Sequence, residues 1–233
     1  METIDICRNI DQIKSRIQSA CKRVNRNPDD ITLVAVSKTK PIEAIKEALE
    51  CGQIHFGENR VQELTSKMEQ LGPEIQWHMI GTLQTNKIKY MVDRVNWIHS
   101  VPKKKALKEI EKRASRIERE INVLIQVNIS DEAQKSGCEP EDLKKLLEYA
   151  QDLKWTKIQG LMGMASFEED PELVRPQFKL LRDLRDQHKS YETDNVQLQH
   201  LSMGMSNDFE IAVEEGSTMV RVGSAIFGAR NYN

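Results

Sequence analysis

Three features of the chain could do chemistry together: a lysine at the end of an apolar strand, an arginine inside another, and two glycine-serine turns. Lys38 closes the run "ITLVAVSK", in which five of the six residues from Ile31 to Val36 are apolar. Side chains alternate along a strand, so Lys38 shares a face with Thr32, Val34 and Val36 rather than with Leu33 and Ala35. Arg221 lies among apolar neighbours in "TMVRVG". A guanidinium there needs a partner, because an unpaired buried charge costs several kcal/mol, roughly. Its partner is either an internal carboxylate or a ligand. The segments "HLSMGMSND" and "VRVGSAIFGAR" bring Ser202 and Gly204, then Gly223 and Ser224, to strand ends. Glycine lets backbone N–H groups approach an anion, and serine adds a hydroxyl donor.

Taken singly, each feature has a plainer reading: a solvated loop lysine beside Lys40, a structural ion pair, and a pair of ordinary turns. Taken together they describe a site. A lysine desolvated near a cation has a lowered pKa and offers the free amine that attacks an aldehyde, while the turns hold a phosphate. The combination points to a Schiff base with a phosphorylated aldehyde.

These residues need a scaffold that gathers strand ends at one place. An opening helix is marked by Ile10, Ile13, Ile17, Cys21 and Val24, spaced three or four apart. After it come eight candidate strands: "ITLVAVS", "QIHFGE", "IQWHMIG", "VNWIHSV", "INVLIQVNI", "KIQGLMGMAS", "VQLQHLSMG" and "STMVRVG". Helical stretches lie between them at Ile42 to Leu49, Val61 to Leu71, Ala106 to Ile117, Leu143 to Leu153 and Phe178 to Leu184. Pro176 suits the first turn of the last of these. Strand and helix alternating eight times predicts a single (β/α)8 barrel over residues 1–233, with an extra N-terminal helix; an open doubly wound sheet is the rival. In such barrels the active site lies at the C-terminal ends of the strands, and phosphate is often held after strands seven and eight.

Composition narrows the function classes. The chain has 34 basic and 36 acidic residues, a net charge of −2, so no global field favours nucleic acid or an anionic membrane. The start "METIDICRNIDQ" lacks an apolar core, and no apolar run approaches the roughly 18 residues of a membrane span. Four cysteines at 7, 21, 51 and 138 are too scattered for zinc pairs and too few for a disulfide framework, which favours a reducing cytoplasm. "PKKKALKEIEKRASRIERE" reads as a solvated helix. Further polar candidates are Asn59 and Arg60 after strand two, and His78, Gln84, Asn86 and Lys87 in "WHMIGTLQTNK". His78 reads as hydrogen-bonded structure rather than as a catalyst. The methionines of "LMGMAS" and "LSMGMS" pack either around a flat ring or in the core.

The ordered motifs "VAVSKTKP", "HFGENRVQE", "WHMIGTLQTNK", "GLMGMAS" and "LSMGMSNDFEIAVEEGSTMVRVGSAIFGAR" resemble those of the pyridoxal 5′-phosphate homeostasis proteins, the YggS/PROSC family, from about Ile10 to Arg230. The resemblance implies a barrel like the N-terminal domain of alanine racemase, with pyridoxal 5′-phosphate held as an internal aldimine on Lys38. It further implies phosphate contacts at Ser202, Gly223 and Ser224, where Ser224 replaces the expected threonine. Arg221 would face the pyridine nitrogen and Asn59 would contact the ring. An arginine there discourages a pyridinium and weakens the ring as an electron sink. The expectation is therefore a cytoplasmic, monomeric binding protein for the cofactor, with apo pyridoxal-phosphate enzymes as recipients and without enzyme-like turnover. An alanine-racemase-like enzyme and a cofactor-free aldolase using Lys38 are the alternatives.

Overall fold

The computed structural model describes residues 4–130 and 137–228. The opening helix α1 (Ile6–Arg23) starts where Asp5 accepts a hydrogen bond from the Arg8 N–H, a side-chain cap that satisfies one of the free donors of the first turn. Eight strands follow: β1 (Thr32–Val36), β2 (His55–Glu58), β3 (Gln76–Met79), β4 (Trp97–Val101), β5 (Ile121–Gln126), β6 (Thr156–Met162), β7 (Val196–Ser202) and β8 (Met219–Val222). They pair in parallel in chain order, and β1 pairs β8 with Val34 opposite Arg221. The sheet is therefore a closed barrel, and the open-sheet alternative falls.

Helices α2 (Ile42–Glu50), α3 (Val61–Gln70), α4 (Lys104–Arg116), α5 (Leu143–Ala150), α6 (Arg175–Gln187), α7 (Phe209–Glu214) and α8 (Ser224–Phe227) cover the outside. Between β3 and β4 the connection is only a 3-10 segment, Thr85–Tyr90. Pro176 lies in the first turn of α6, where its missing N–H costs nothing. The basic α4 buries Ala106, Leu107, Ile110 and Ala114 and leaves most of its charges in water. The matched sequence motif ends at residue 230, outside the described residues.

Strand alternation divides the apolar residues between two cores. Leu33, Ala35, Phe56, Trp77, Met79 and Ile98 point outward into the layer shared with the helices. Phe56 and Phe178 are among its largest fully buried side chains, each worth about 1.5–3 kcal/mol of burial. A second, separate cluster of Leu124, Met162 and Met219, with Trp97 against it, fills the barrel interior. Gly57 faces the same space, since a Cβ there would press on Val34 and Ile80. The face expected to carry Val34, Val36 and Lys38 is thus the inward one.

Cys7 on α1 and Cys51, just beyond α2, are joined in a disulfide with Cα atoms 5.6 Å apart. Read along the chain the four cysteines looked unpaired; this pair is created by α1 lying against α2, which no spacing rule encodes. Cys21 and Cys138 are free and buried.

Candidate functional site

The site begins at the end of β1. Ser37 is fully buried and donates its hydroxyl to Glu58 on β2, 2.7 Å away. The chain then turns: Lys38 is half-buried, and Thr39 has φ 64°, a left-handed conformation uncommon outside glycine and asparagine. Three bonds hold that turn from behind. Lys67 of α3 reaches the Ser37 carbonyl at 2.8 Å, Glu58 at 2.7 Å and Glu63 at 2.7 Å. Glu63 in turn accepts the Thr39 N–H at 2.6 Å. Burial raises the Glu58 carboxyl above its ordinary pKa, with Lys67 and Ser37 pulling it down.

Lys38 opens into a cavity of about 300 Å³, at the lower end of the ~300–1,000 Å³ usual for small-molecule sites. Val36, Lys40, Asn59, Arg221, Gly223 and Ser224 line it with Lys38. Five of the six residues expected from the sequence therefore meet at one mouth. Lys40 donates to the carbonyls of Phe227 and Gly228 at 2.8 and 3.1 Å, tying the segment after β1 to the one after β8.

Ser202 is the exception. Its hydroxyl is fully buried below the cavity, bonded to Arg221 and to His99 at 2.6 and 2.9 Å, and it does not line the mouth. The phosphate contact that the resemblance implies at Ser202 thus falls on a hydroxyl already shared between Arg221 and His99, outside the residues that line the cavity. Ser206, four residues on, lines the cavity and accepts the Gly223 N–H at 3.3 Å. The segment "HLSMGMSND" holds both serines; the strand ends at the first, and only the loop conformation, with Gly204 at φ 95°, carries the second to the mouth.

Arg221 is only 4% exposed. Its guanidinium donates to Ser202 and, at 3.0 Å, to the Gly163 carbonyl, and among the described residues it forms no ion pair. Burial lowers its pKa to about 10, against the pull of Asp208, so it is a cation at neutral pH. Asp208 itself accepts the Met205 N–H at 2.5 Å, and burial raises its carboxyl. In place of the structural ion pair considered for Arg221, its hydrogen bonds to Ser202 and Gly163 go to neutral acceptors, and the residue also lines the cavity. Met164 and Met205 line the rim, as does Phe167, which is 76% exposed. Gln84 and Asn86 are exposed outside the cavity, and Arg60 is exposed beside it. Among the described residues no group of three or more histidine, cysteine or acidic side chains is arranged to hold a metal.

The alanine racemase N-terminal domain family matches this chain over residues 9–231. A protein of Aquifex aeolicus named pyridoxal phosphate homeostasis protein is 47% identical over 231 residues, 98% of this chain and 100% of its own length. The chain belongs to the pyridoxal phosphate homeostasis protein family. Among solved structures, PipY of Synechococcus elongatus with pyridoxal phosphate bound superposes with a TM-score of 0.83 at 33% identity, covering 96% of this chain and all of that one. Alanine racemase of Clostridium difficile shares the fold at TM-score 0.73 and 15% identity, and this chain covers 58% of it. The resemblance of the motifs to this family, and the barrel it implied, therefore hold.

Proposed function

We propose that this protein binds pyridoxal 5′-phosphate in the barrel mouth, covalently through Lys38, and serves homeostasis of the cofactor by holding and releasing it to apo-enzymes. The observation that carries this reading is the convergence of Lys38, Arg221 and the Gly223–Ser224 turn on one cavity of about 300 Å³. Pyridoxal phosphate supplies an aldehyde for an amine, a phosphate for hydrogen-bond donors and a ring nitrogen. Each has a counterpart here. Lys38 is the amine; Gly223 and Ser224, with Ser206 beside them, are the phosphate side; Arg221 faces the ring nitrogen and Asn59 the ring. A Cβ on Gly223 would crowd Val36 at 3.2 Å, so glycine there lets the turn after β8 pack closely on the end of β1 beside the cavity.

Arg221 also argues against amino-acid turnover. A permanently charged donor at the ring nitrogen opposes its protonation, and carbanion chemistry loses its electron sink. Among the described residues the cavity lining contains no histidine, cysteine or tyrosine, and its carboxylates are Glu168 and Asp208. Lys40, the other amine there, is engaged with two carbonyls. The racemase fold neighbours favour the enzyme alternative by fold alone, and it would need a second base opposite Lys38. No described helix is long and apolar enough to cross a membrane; a monomer that binds no nucleic acid is the setting we propose, and the Cys7–Cys51 disulfide removes the cysteine argument for a reducing cytoplasm.

The test is spectroscopic. Protein mixed with pyridoxal phosphate is expected to turn yellow and to lose that absorbance on borohydride treatment with the label on Lys38. A colourless mixture, or label on another lysine, overturns the assignment.

A further inference from the structure

Three histidines on neighbouring strands form an unbroken row through the barrel. His55 Nδ1 lies 3.0 Å from His78 Nε2, His78 Nδ1 lies 2.9 Å from His99 Nε2, and His99 Nδ1 lies 2.9 Å from the Ser202 hydroxyl that Arg221 holds. His78 and His99 are fully buried, while His55 is half-buried and lines a groove at the opposite end of the barrel, near the starts of β1 and β2. His78 stacks on Trp97 with ring centroids 5.9 Å apart. None of the three lines the cavity.

The proton positions in this row are determined by elimination. Arg221 can only donate, so Ser202 Oγ accepts from it. The Ser202 proton then needs an acceptor, and in this fully buried place the one within reach is His99 Nδ1. His99 therefore carries its proton on Nε2 and donates to His78 Nδ1; His78 by the same rule donates from Nε2 to His55 Nδ1. Every proton in the row points away from the guanidinium, the orientation a nearby cation favours. A charged ring would break the pattern, because an imidazolium has no acceptor. Burial, with Arg221 and His200 adding to it at His99, holds His78 and His99 well below the ordinary histidine pKa. Burial lowers His55 too.

We propose that His99, backed by His78 and His55, is the positioning residue for Arg221: it is the acceptor that orients the Ser202 hydroxyl and thereby fixes the guanidinium beneath the cofactor cavity. The role of the cavity rests on the function proposed above; the orientation of Arg221 does not. Without an acceptor at His99, the Ser202 proton is orphaned in a buried place or turns toward the guanidinium, and Arg221 is left with the Gly163 carbonyl as its remaining bond.

Nitrogen-15 NMR of the ligand-free protein at neutral pH reads the row directly. All three rings are expected with a bare Nδ1 and a protonated Nε2; a proton on Nδ1 of His99, or a charged His99, overturns the proposal. Two variants then test its effect on Arg221. His99→Asn retains an acceptor near the Nδ1 position, whereas His99→Leu has none. Hydrogen exchange of the Arg221 guanidinium, measured without cofactor, is expected to quicken roughly tenfold in His99→Leu and to stay within about threefold of the parent in His99→Asn. Equal exchange in parent and both variants overturns the role. Should His99→Leu not fold, His99→Phe, which keeps a ring without an acceptor, takes its place, and exchange equal to the parent's in that variant overturns the role. Titration with pyridoxal phosphate gives the separate answer: absence of binding by the parent would refute the cavity assignment and leave the exchange result standing.

Discussion

Lys67 Nζ lies 2.7 Å from the Glu58 carboxylate, both side chains almost fully buried, and directly behind the turn that presents Lys38. Among the described residues the second oxygen of Glu58 has no hydrogen-bond partner, and Lys67 and Ser37 are the groups that compensate for burying that charge. Removing Lys67 leaves a buried carboxylate without its cation. Lys67→Met is expected to lower unfolding free energy by about 3–5 kcal/mol at pH 8, measured by urea denaturation. The pH sign follows from Glu58, whose folded pKa is raised. Ionising it costs more folded than unfolded, and that cost disappears as pH falls through the folded value, most strongly in the variant. The gap between parent and Lys67→Met should therefore narrow at pH 5; a gap that widens would contradict the pairing.

Lys38→Ala is expected to abolish the borohydride-sensitive absorbance while leaving thermal unfolding within about 2 °C of the parent. Lys38 is half-buried in a turn beyond β1, so its loss removes little core. Circular dichroism melts and absorbance spectra on the same samples check both halves.

Phosphate recognition is expected to depend on the two serines of the cavity lining nearest the end of β8, Ser206 and Ser224. Ser206→Ala and Ser224→Ala remove hydroxyls from the cavity lining, and each is expected to weaken binding of pyridoxal phosphate roughly tenfold or more, since a hydrogen bond to a charged group contributes about 1.5–3 kcal/mol. Binding of pyridoxal, which lacks the phosphate, should be insensitive to both. Parallel titrations with the two aldehydes make the comparison.

Turnover is the sharpest test of the homeostasis reading. Loaded protein incubated with alanine or serine in deuterated water should show Cα exchange several orders of magnitude below the roughly 10 per second typical of enzymes. Mixed instead with an apo pyridoxal-phosphate enzyme, it should restore activity. Fast racemisation would return the protein to the enzyme alternative.

The disulfide closes a loop of 44 residues between Cys7 and Cys51, and chain-entropy arguments give about 4 kcal/mol for a loop of that size. Cys7→Ser should lose up to that amount against the oxidised parent and nothing against the reduced one. Denaturation curves with and without a reducing agent distinguish the two.

The strands were legible because a barrel buries both faces of each, and runs such as "INVLIQVNI" have no other stable place. Lys38, Asn59, Arg221, Gly223 and Ser224 were legible because a parallel barrel brings strand ends to one mouth. Strand alternation puts Ser202 inward, and inward at the end of β7 lies beside Arg221 and His99 rather than in the cavity lining. The histidine row could have been found from the same alternation, since His55, His78 and His99 occupy inward positions of three successive strands. What alternation cannot give is height along the barrel, which sets whether inward neighbours touch. Lys67 and Glu63 were invisible for another reason: on paper they are ordinary helix charges, and only the packing of α3 against the β1 turn makes them part of the site.

The helix α1 does more than cover the barrel. Asn9 donates to the Ile226 carbonyl, Arg26 to that of Val213, and Arg16 and Arg23 pair with Glu210 and Glu214, joining residues up to 217 positions apart in the chain. The helix before β1 is thus clasped by the segments on either side of β8. Such distant contacts come late, because the entropy of closing the loop must be met before any of them forms. Part of the apolar face of α1 is therefore covered only when the segments around β8 are in place, which makes a chain that has not closed its ring the aggregation-prone form. Because β1 pairs β8, barrel closure and assembly of the Lys38 and Arg221 mouth are one event.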